Sequence, residues 1–370
     1  MLDARLELVT DEPALAERVA VELGRFLVDD AHEATPVEVR FAPPPPRAAV
    51  HGETFVLDPA AAVDQAFAVL FRAALDETVR YIVLHAAALE RDGRALLIAG
   101  PSESGKTTLA LALLREGFRL LSDDFTPLDR ATGQVAPFLK ALGIRPGPGR
   151  ELADLGPGTS GEHRVPLDAG GLPRGSIADR PGAPAAIVLC DGGVTPPDPA
   201  APYLFGVTTT GPVDDLARNL EGPGVEVLRR EPGRIVLRLD PSRLDPRPLD
   251  GILERDPHVL EYGLVPRSLE RRTGPPRMTP FRARDALLLL LRDVQNRRPG
   301  GALLASLDDD PTRLALELAR LIGRLPCAFL VPGRPEETAS HLAAWFDQLA
   351  PASPGCPGPP DVSPGSMSTR

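Results

Sequence analysis

The stretch GPSESGKTTL, from Gly100 to Leu109, contains residue types that bind phosphate. It satisfies the pattern G-x-x-x-x-G-K-[ST] through Gly100, Gly105, Lys106 and Thr107. In this pattern, backbone N–H groups surround phosphate oxygens at the positive end of a helix. The lysine reaches the β- and γ-phosphates, and the hydroxyl of the next residue is a Mg²⁺ ligand. We therefore predict a loop that binds a nucleoside triphosphate with Mg²⁺. The residues expected to contact the nucleotide are Gly100, Pro101, Ser102, Glu103, Ser104, Gly105, Lys106, Thr107 and Thr108.

Lysine is rare in this chain. Only Lys106 and Lys140 are lysines among the 41 basic residues, and the other 39 are arginines. A GC-rich genome explains the bulk of this bias. Where arginine is the default, a retained lysine indicates chemistry that a guanidinium group cannot perform.

A phosphate-binding loop also needs an acidic partner for Mg²⁺ at the end of an apolar strand. Asp123 and Asp124 end the segment RLLSDD, directly after the helix of the loop, and Asp191 ends AIVLCD. The pair is favoured because open α/β sheets bind ligands at the carboxyl ends of neighbouring strands. One carboxylate could hold Mg²⁺ while the other accepts a proton from an attacking hydroxyl group. For Asp191, the start of the turn DGG is the more common explanation.

His85 ends the segment YIVLH, on the strand before the loop strand. A single histidine on an apolar strand is more often a hydrogen-bonded core residue than a catalyst. Its place at the end of that segment nevertheless predicts the same sheet edge as the loop, where it could act in proton transfer.

The elements around these residues predict an α/β fold: a twisted sheet that carries the phosphate loop, a small N-terminal α/β unit and C-terminal helices. The order strand, loop, helix, strand from Tyr81 to Asp124 gives the loop pattern its meaning. We predict an N-terminal unit over 1–76, the loop-bearing domain with its C-terminal helices over 77–350, and a tail over 351–370 that is disordered by composition. Outside the loop region, the patterns predict helices over 14–27, 61–77, 281–294, 312–324 and 335–350, strands over 36–42, 163–168 and 185–191, and a hairpin over 225–240.

Composition restricts the class of protein. The net charge of −10 gives no global attraction to nucleic acid or to anionic lipid. No apolar run is long enough to span a bilayer, and the three cysteines show no metal-ligand spacing. Residues 267–298 contain nine arginines, which could receive an acidic partner or form a solvated surface. We expect a cytoplasmic protein that binds neither nucleic acid nor membrane and that could form homo-oligomers.

Taken together, the motifs resemble the HPr kinase/phosphorylase family of P-loop kinases. His85 stands 15 residues before Gly100 and Asp123 stands 17 residues after Lys106, as in that family. The segment KALGI, which begins at Lys140, is similar to the family signature RGLGI beside the active site. The resemblance is strong over residues 80–145 and rests on general layout elsewhere.

This resemblance implies a kinase that transfers the γ-phosphoryl group of ATP to a serine hydroxyl of a peptide or protein. Lys106 and Thr107 would hold ATP and Mg²⁺, and Asp123 would be the general base. His85 would orient or shuttle the proton, and Asp124 would support the metal ion or the base. Such chemistry depends mostly on positioning and charge neutralisation.

Several residues depart from the family pattern. Thr108 replaces a glutamate, Phe118 a histidine, and Phe138 an acidic residue. The loss of two carboxylates near the metal puts the reverse, phosphorolytic reaction in doubt. The chain therefore resembles a divergent HPr-kinase-like branch, found with peptide-modification gene sets, more than it resembles the classical members of the family.

Alternative functions stay open from the sequence. The loop could belong to an ATP-controlled switch without phosphate transfer, which the missing carboxylates favour and the retained His85 and Asp123 oppose. The acceptor could be a small-molecule hydroxyl. Chemistry of the phosphoenolpyruvate carboxykinase type is disfavoured, because the sequence shows no His/Lys set for manganese.

Overall fold

The strands and helices of the chain are described by a computed structural model. It describes residues 2–28, 33–101, 104–144, 163–165, 167, 172–190, 202–231, 233–240, 242–244, 249, 252–253, 256, 258–265, 274–298 and 300–349. The strands are β1 (Leu6–Thr10), β2 (Thr35–Arg40), β3 (Arg47–Val50), β4 (Glu53–Val56), β5 (Tyr81–Leu84), β6 (Ala86–Arg91), β7 (Arg94–Ala99), β8 (Arg119–Ser122), β9 (Thr126–Asp129), β10 (Leu142–Ile144), β11 (His163–Val165), β12 (Ala183–Cys190), β13 (Tyr203–Thr209), β14 (Val225–Glu231), β15 (Arg234–Leu239), β16 (Val259–Val265), β17 (Arg277–Phe281) and β18 (Cys327–Val331). The α-helices are α1 (Pro13–Leu23), α2 (Ala62–Glu77), α3 (Lys106–Arg115), α4 (Val213–Leu220), α5 (Ala283–Arg292), α6 (Ala302–Ala305), α7 (Pro311–Ile322) and α8 (Pro335–Gln348). The fold is therefore mixed α/β, as the sequence predicts at that level.

The central element is a six-stranded sheet in the order β17-β18-β12-β7-β6-β8. Strands β7, β12 and β18 are parallel to one another, while β6 is antiparallel to both β7 and β8. Strand β8 therefore runs in the same direction as β7. The carboxyl ends of β7, β8 and β12 and the amino end of β6 consequently lie at one edge of the sheet.

Helices cover both faces of this sheet, because its strands are apolar on both sides. Along β7, Leu96 and Ile98 face a core that includes α3 and α8, and Leu97 and Ala99 face a core with α5, α6 and α7. This alternation is the period of two expected for a strand. The result is a three-layer arrangement that holds the sheet edge in a fixed position.

The N-terminal region forms its own sheet in the order β1-β2-β3-β4, with β1 parallel to β2. Helix α2 packs on it through Ala66, Val69, Leu70 and Ala73, which follow the helical spacing and are at most 4% exposed. Phe138, from the segment after β9, joins the same core. The predicted boundary between units near residue 77 stays a prediction.

A further antiparallel sheet has the order β14-β15-β13-β16. Helix α4 covers it, and Phe205, Val207, Leu216 and Leu237 belong to the core between them. Strands β14 and β15 form the hairpin that the sequence predicts over 225–240. Two short pairs, β5 with β9 and β10 with β11, complete the described strands.

The structure differs from the sequence-based expectation at several strands. The run YIVLHAAAL is broken at His85, so that β5 pairs with β9 while β6 joins the central sheet. Strands β17 and β18, which no alternating pattern predicted, extend the central sheet beyond β12. Within the described ranges, every helix is too short or too polar to cross a bilayer.

Candidate functional site

The loop between β7 and α3, residues 100–105, lies at the shared sheet edge and is called the glycine loop below. Gly100 passes so close to β12 that a Cβ atom there would lie 2.5 Å from the carbonyl oxygen of Cys190. Only glycine fits this contact without moving backbone. Ser102 and Glu103, predicted to contact the nucleotide, lie outside the described residues.

Among the described residues, no side chain caps the start of helix α3. Its N-cap is Gly105, which has a left-handed φ of 94° that glycine adopts at no steric cost. The first-turn N–H groups of α3 are therefore available to an anion at the positive end of the helix. This is the arrangement that phosphate-binding loops require.

The Lys106 side chain folds back over the glycine loop. Its ammonium group donates hydrogen bonds to the carbonyl oxygens of Gly100, at 2.8 Å, and Pro101, at 3.0 Å. Lys106 is only 4% exposed. A buried positive charge is thus held inside the loop, where a phosphate group would be its natural partner.

Thr107 joins the loop helix to the acidic pair. Its hydroxyl group donates to both carboxylate oxygens of Asp123, at 3.1 and 3.0 Å. In this orientation the hydroxyl oxygen keeps its lone pairs free of Asp123 and able to ligate a metal ion. Asp123 follows β8 directly and is 2% exposed, so the contact is buried on the Asp123 side and partly exposed at Thr107.

Asp124 faces a different partner. Its Oδ2 atom lies 3.2 Å from the ammonium nitrogen of Lys140, and its side chain is 35% exposed. The backbone of Asp124 has a left-handed φ of 67°, which is uncommon for a residue other than glycine. The N–H of Phe138 donates to the carbonyl oxygen of Leu121, so the chain runs beside β8 and brings Lys140 to the pair.

The environments of the two carboxyl groups push their pKa values apart. Burial, together with the charge of Asp124, raises the pKa of Asp123 to about 7, although Lys140, Thr107 and Lys106 oppose this shift. Burial also disfavours ionisation of Asp124, but Lys140, Lys106 and His85 outweigh it and hold the pKa of Asp124 well below its ordinary value. Asp123 is therefore the member of the pair suited to exchange a proton near neutral pH.

His85 lies between β5 and β6, at the amino end of β6, rather than inside a continuous strand. Its neighbour Ala86 pairs with Ala99, the residue before Gly100. The backbone N–H group of His85 donates a hydrogen bond to the backbone carbonyl oxygen of Asp293 at 2.8 Å. His85 is half-buried, and it is one of the groups that lower the pKa of Asp124.

Ser104 tests whether the loop fits a phosphate group. Ser104 is 4% exposed, and its hydroxyl oxygen has no hydrogen-bond partner among the described residues. A buried hydroxyl group without a partner is costly unless a ligand satisfies it. Together with the uncapped start of α3 and the buried Lys106, this fits an anion with several acceptor oxygens.

Two of the residues that depart from the family pattern have structural roles. Phe138 is 2% exposed and stacks on Phe26, with ring centroids 4.9 Å apart. It also makes an edge contact with Phe71, while Phe125 stacks on Phe71 at 5.0 Å. Phe118 is buried against Phe346 of α8. The rings of Phe125 and Phe138 connect the segment that carries the acidic pair to the N-terminal core, whereas Phe118 belongs to the core beneath α8.

Other residues considered from the sequence are either outside the described residues or paired elsewhere. Asp191, the competing acidic candidate, lies outside the described residues, as do Arg267, Arg271 and Arg272. In the described part of the arginine-rich segment, Arg284 contacts Asp285 and Arg298 contacts Asp76. Sequence reasoning missed the contact between Lys140 and Asp124, although the rarity of lysine had marked Lys140.

Comparisons with known proteins show distant likeness among solved structures only. No protein-family profile and no curated protein matches the sequence. Among solved structures, the HPr(Ser) kinase/phosphatase from Coxiella burnetii is similar at 19% identity, over 46% of this chain and 91% of that chain. The TM-score of this match is 0.18. A likeness at this TM-score carries no argument about function, and the side chains of the site remain the basis for assigning one.

Proposed function

We propose that the chain is an ATP-dependent phosphotransferase with a P-loop domain of the HPr-kinase type. The observation that carries this proposal is the contact of the Thr107 hydroxyl with both oxygens of the buried Asp123. It joins a phosphate-binding pattern to a carboxyl group whose pKa is raised to about 7. A switch module needs the first of these features, whereas a kinase needs both.

Each residue has a defined task in this proposal. ATP bound with Mg²⁺ supplies the γ-phosphoryl group, which passes to an acceptor oxygen as the bond to the β-phosphate oxygen breaks. The start of α3 and Lys106 would bind the phosphates, and Thr107 with Asp124 would hold the metal ion. Asp123 takes the proton of the acceptor hydroxyl group, and His85 orients that proton or shuttles it onward.

The proposed acceptor is a serine hydroxyl group of a peptide or protein, as the sequence resemblance implies. A hydroxyl group of a small molecule is the alternative. The two are distinguished by the size of the labelled product when γ-labelled ATP is the donor. Neither choice changes the tasks of the residues at the sheet edge.

An ATP-controlled switch without transfer is the second candidate, and one observation favours it. Phe138 packs in the N-terminal core and lies two residues before Lys140, which contacts Asp124. A change of position at the acidic pair would therefore reach the N-terminal sheet. Under this alternative the chain would bind ATP and transfer nothing.

Nucleotide binding is tested by titrating the full chain with Mg²⁺ and ATP in a calorimeter. Lys106→Met removes the ammonium group from the loop and should lower the affinity at least tenfold. Arg80→Met is the matched control, because Arg80 pairs with Asp129 at 2.8 Å outside the site. Equal affinity of wild type and Lys106→Met would refute the loop assignment.

A further inference from the structure

Lys140 is a buried cation to which the proposed phosphate transfer gives no task. It is 4% exposed, and its ammonium nitrogen lies 3.2 Å from Oδ2 of Asp124 and 5.9 Å from the ring centroid of Phe125. Burying an ammonium group is costly, and a charged partner within hydrogen-bond distance offsets this cost. The pair with Asp124 is therefore a built feature of the site rather than a surface contact.

The two aspartates of the site have different partners. Asp123 accepts hydrogen bonds from the uncharged hydroxyl group of Thr107, whereas Asp124 contacts the full positive charge of Lys140. The side chain of Asp124 is 35% exposed, so solvent or a metal ion could reach this carboxylate if the ammonium group were absent. Lys140 thus stands at the place on Asp124 where a cation binds a carboxylate.

Kinases use two divalent ions in some classes and one in others. A second ion at this pair would have to approach Oδ2 of Asp124 against the charge of Lys140. Like charges a few ångströms apart repel strongly in a buried setting. We propose that Lys140 is a positioning residue that fixes Asp124 and serves as the built-in second cation, so that the site uses one divalent ion per ATP. This inference rests on the proposed function.

The test counts metal ions directly. Mn²⁺ bound to the full chain is measured by electron paramagnetic resonance in the presence of a saturating, non-hydrolysable β,γ-imido analogue of ATP. Wild type is expected to bind one Mn²⁺ per chain. Lys140→Met, which keeps the length of the side chain and removes its charge, is expected to bind two.

Two variants serve as controls for the charge and for the fold. Lys140→Arg keeps the positive charge and is expected to restore the count to one. Arg80→Met removes a cation from Asp129 outside the site and is expected to leave the count at one. If Lys140→Met does not fold, Lys140→Gln carries the same expectation of two ions, because its amide can still donate to Asp124.

The outcomes separate this inference from the function on which it rests. Two ions on wild type, or a single ion on the folded Lys140→Met or Lys140→Gln variant, would overturn the role of Lys140 and leave the kinase proposal intact. No bound Mn²⁺ on wild type with the analogue would overturn both. One ion on wild type and two on the uncharged variant would establish the role.

Discussion

Replacing Asp123 by asparagine should change how the stability of the metal-free protein depends on pH. The pKa of Asp123 is about 7 in the folded protein and 3.8 in the unfolded chain, so the folded state binds this proton more tightly than the unfolded state does. Stability from this group is therefore greatest at low pH and is lost as pH rises toward 7. At about 1.4 kcal/mol per pKa unit, the loss between about pH 5 and about pH 8 is about 3 kcal/mol.

Asp123→Asn removes this loss, because an amide does not titrate and its oxygen still accepts the hydrogen bond of Thr107. The free energy of unfolding is measured by denaturant titration at the two pH values for both proteins. The variant should gain about 3 kcal/mol relative to wild type on going from the lower to the higher pH.

Asp129→Asn is the control for this experiment. Burial raises the pKa of Asp129, but N–H groups of Thr132 and Ala131 together with Arg80 bring it below its ordinary value. Its contribution to stability is therefore constant over this range and is lost only under more acidic conditions. The same pH dependence in wild type and Asp123→Asn would refute the raised pKa and the role of burial in causing it.

Three further predictions concern the elements that hold the site. Phe138→Ala should lower the free energy of unfolding by roughly 3–5 kcal/mol, because the ring is buried among other rings. The change is measured by denaturant titration, and a loss below about 1 kcal/mol would contradict this packing. Gly100→Ala should cost roughly 1–3 kcal/mol by the same measurement, because the added Cβ meets the Cys190 carbonyl oxygen, and an unchanged midpoint would contradict the close approach. Thr107→Val should weaken Mg²⁺-dependent binding of ATP while Thr107→Ser preserves it, as read by calorimetry with and without Mg²⁺; equal behaviour of the two variants would exclude the hydroxyl group as a metal ligand.

Local patterns predicted much of the fold. The loop helix, the strand that ends at Asp123 and the hairpin over 225–240 follow from spacing and alternation within one segment. The rule that ligands bind at the carboxyl ends of strands led us to expect the loop and the acidic pair at the same edge of the sheet. The roles of the residues gathered there stay predictions until the variants above are measured.

The remaining features depend on contacts between distant segments. The strand break at His85 arises because β5 pairs with β9 and not with the central sheet. The contact of Lys140 with Asp124 depends on the path of the chain beside β8, which no local pattern specifies. In the sequence, Phe138 stands where the family has an acidic residue near the metal. Only its packing against Phe26 and Phe71 identifies it as part of a core.

The measurement that tests the central claim most directly follows γ-labelled ATP with Mg²⁺ and host extract, using wild type and Asp123→Asn side by side. The account predicts labelled peptide, protein or small molecule with wild type and a loss of roughly 100-fold or more with the variant, which lacks the general base. ATP affinity should be alike in both proteins. Bound ATP with no labelled product from wild type, or equal transfer by both proteins, would contradict the account.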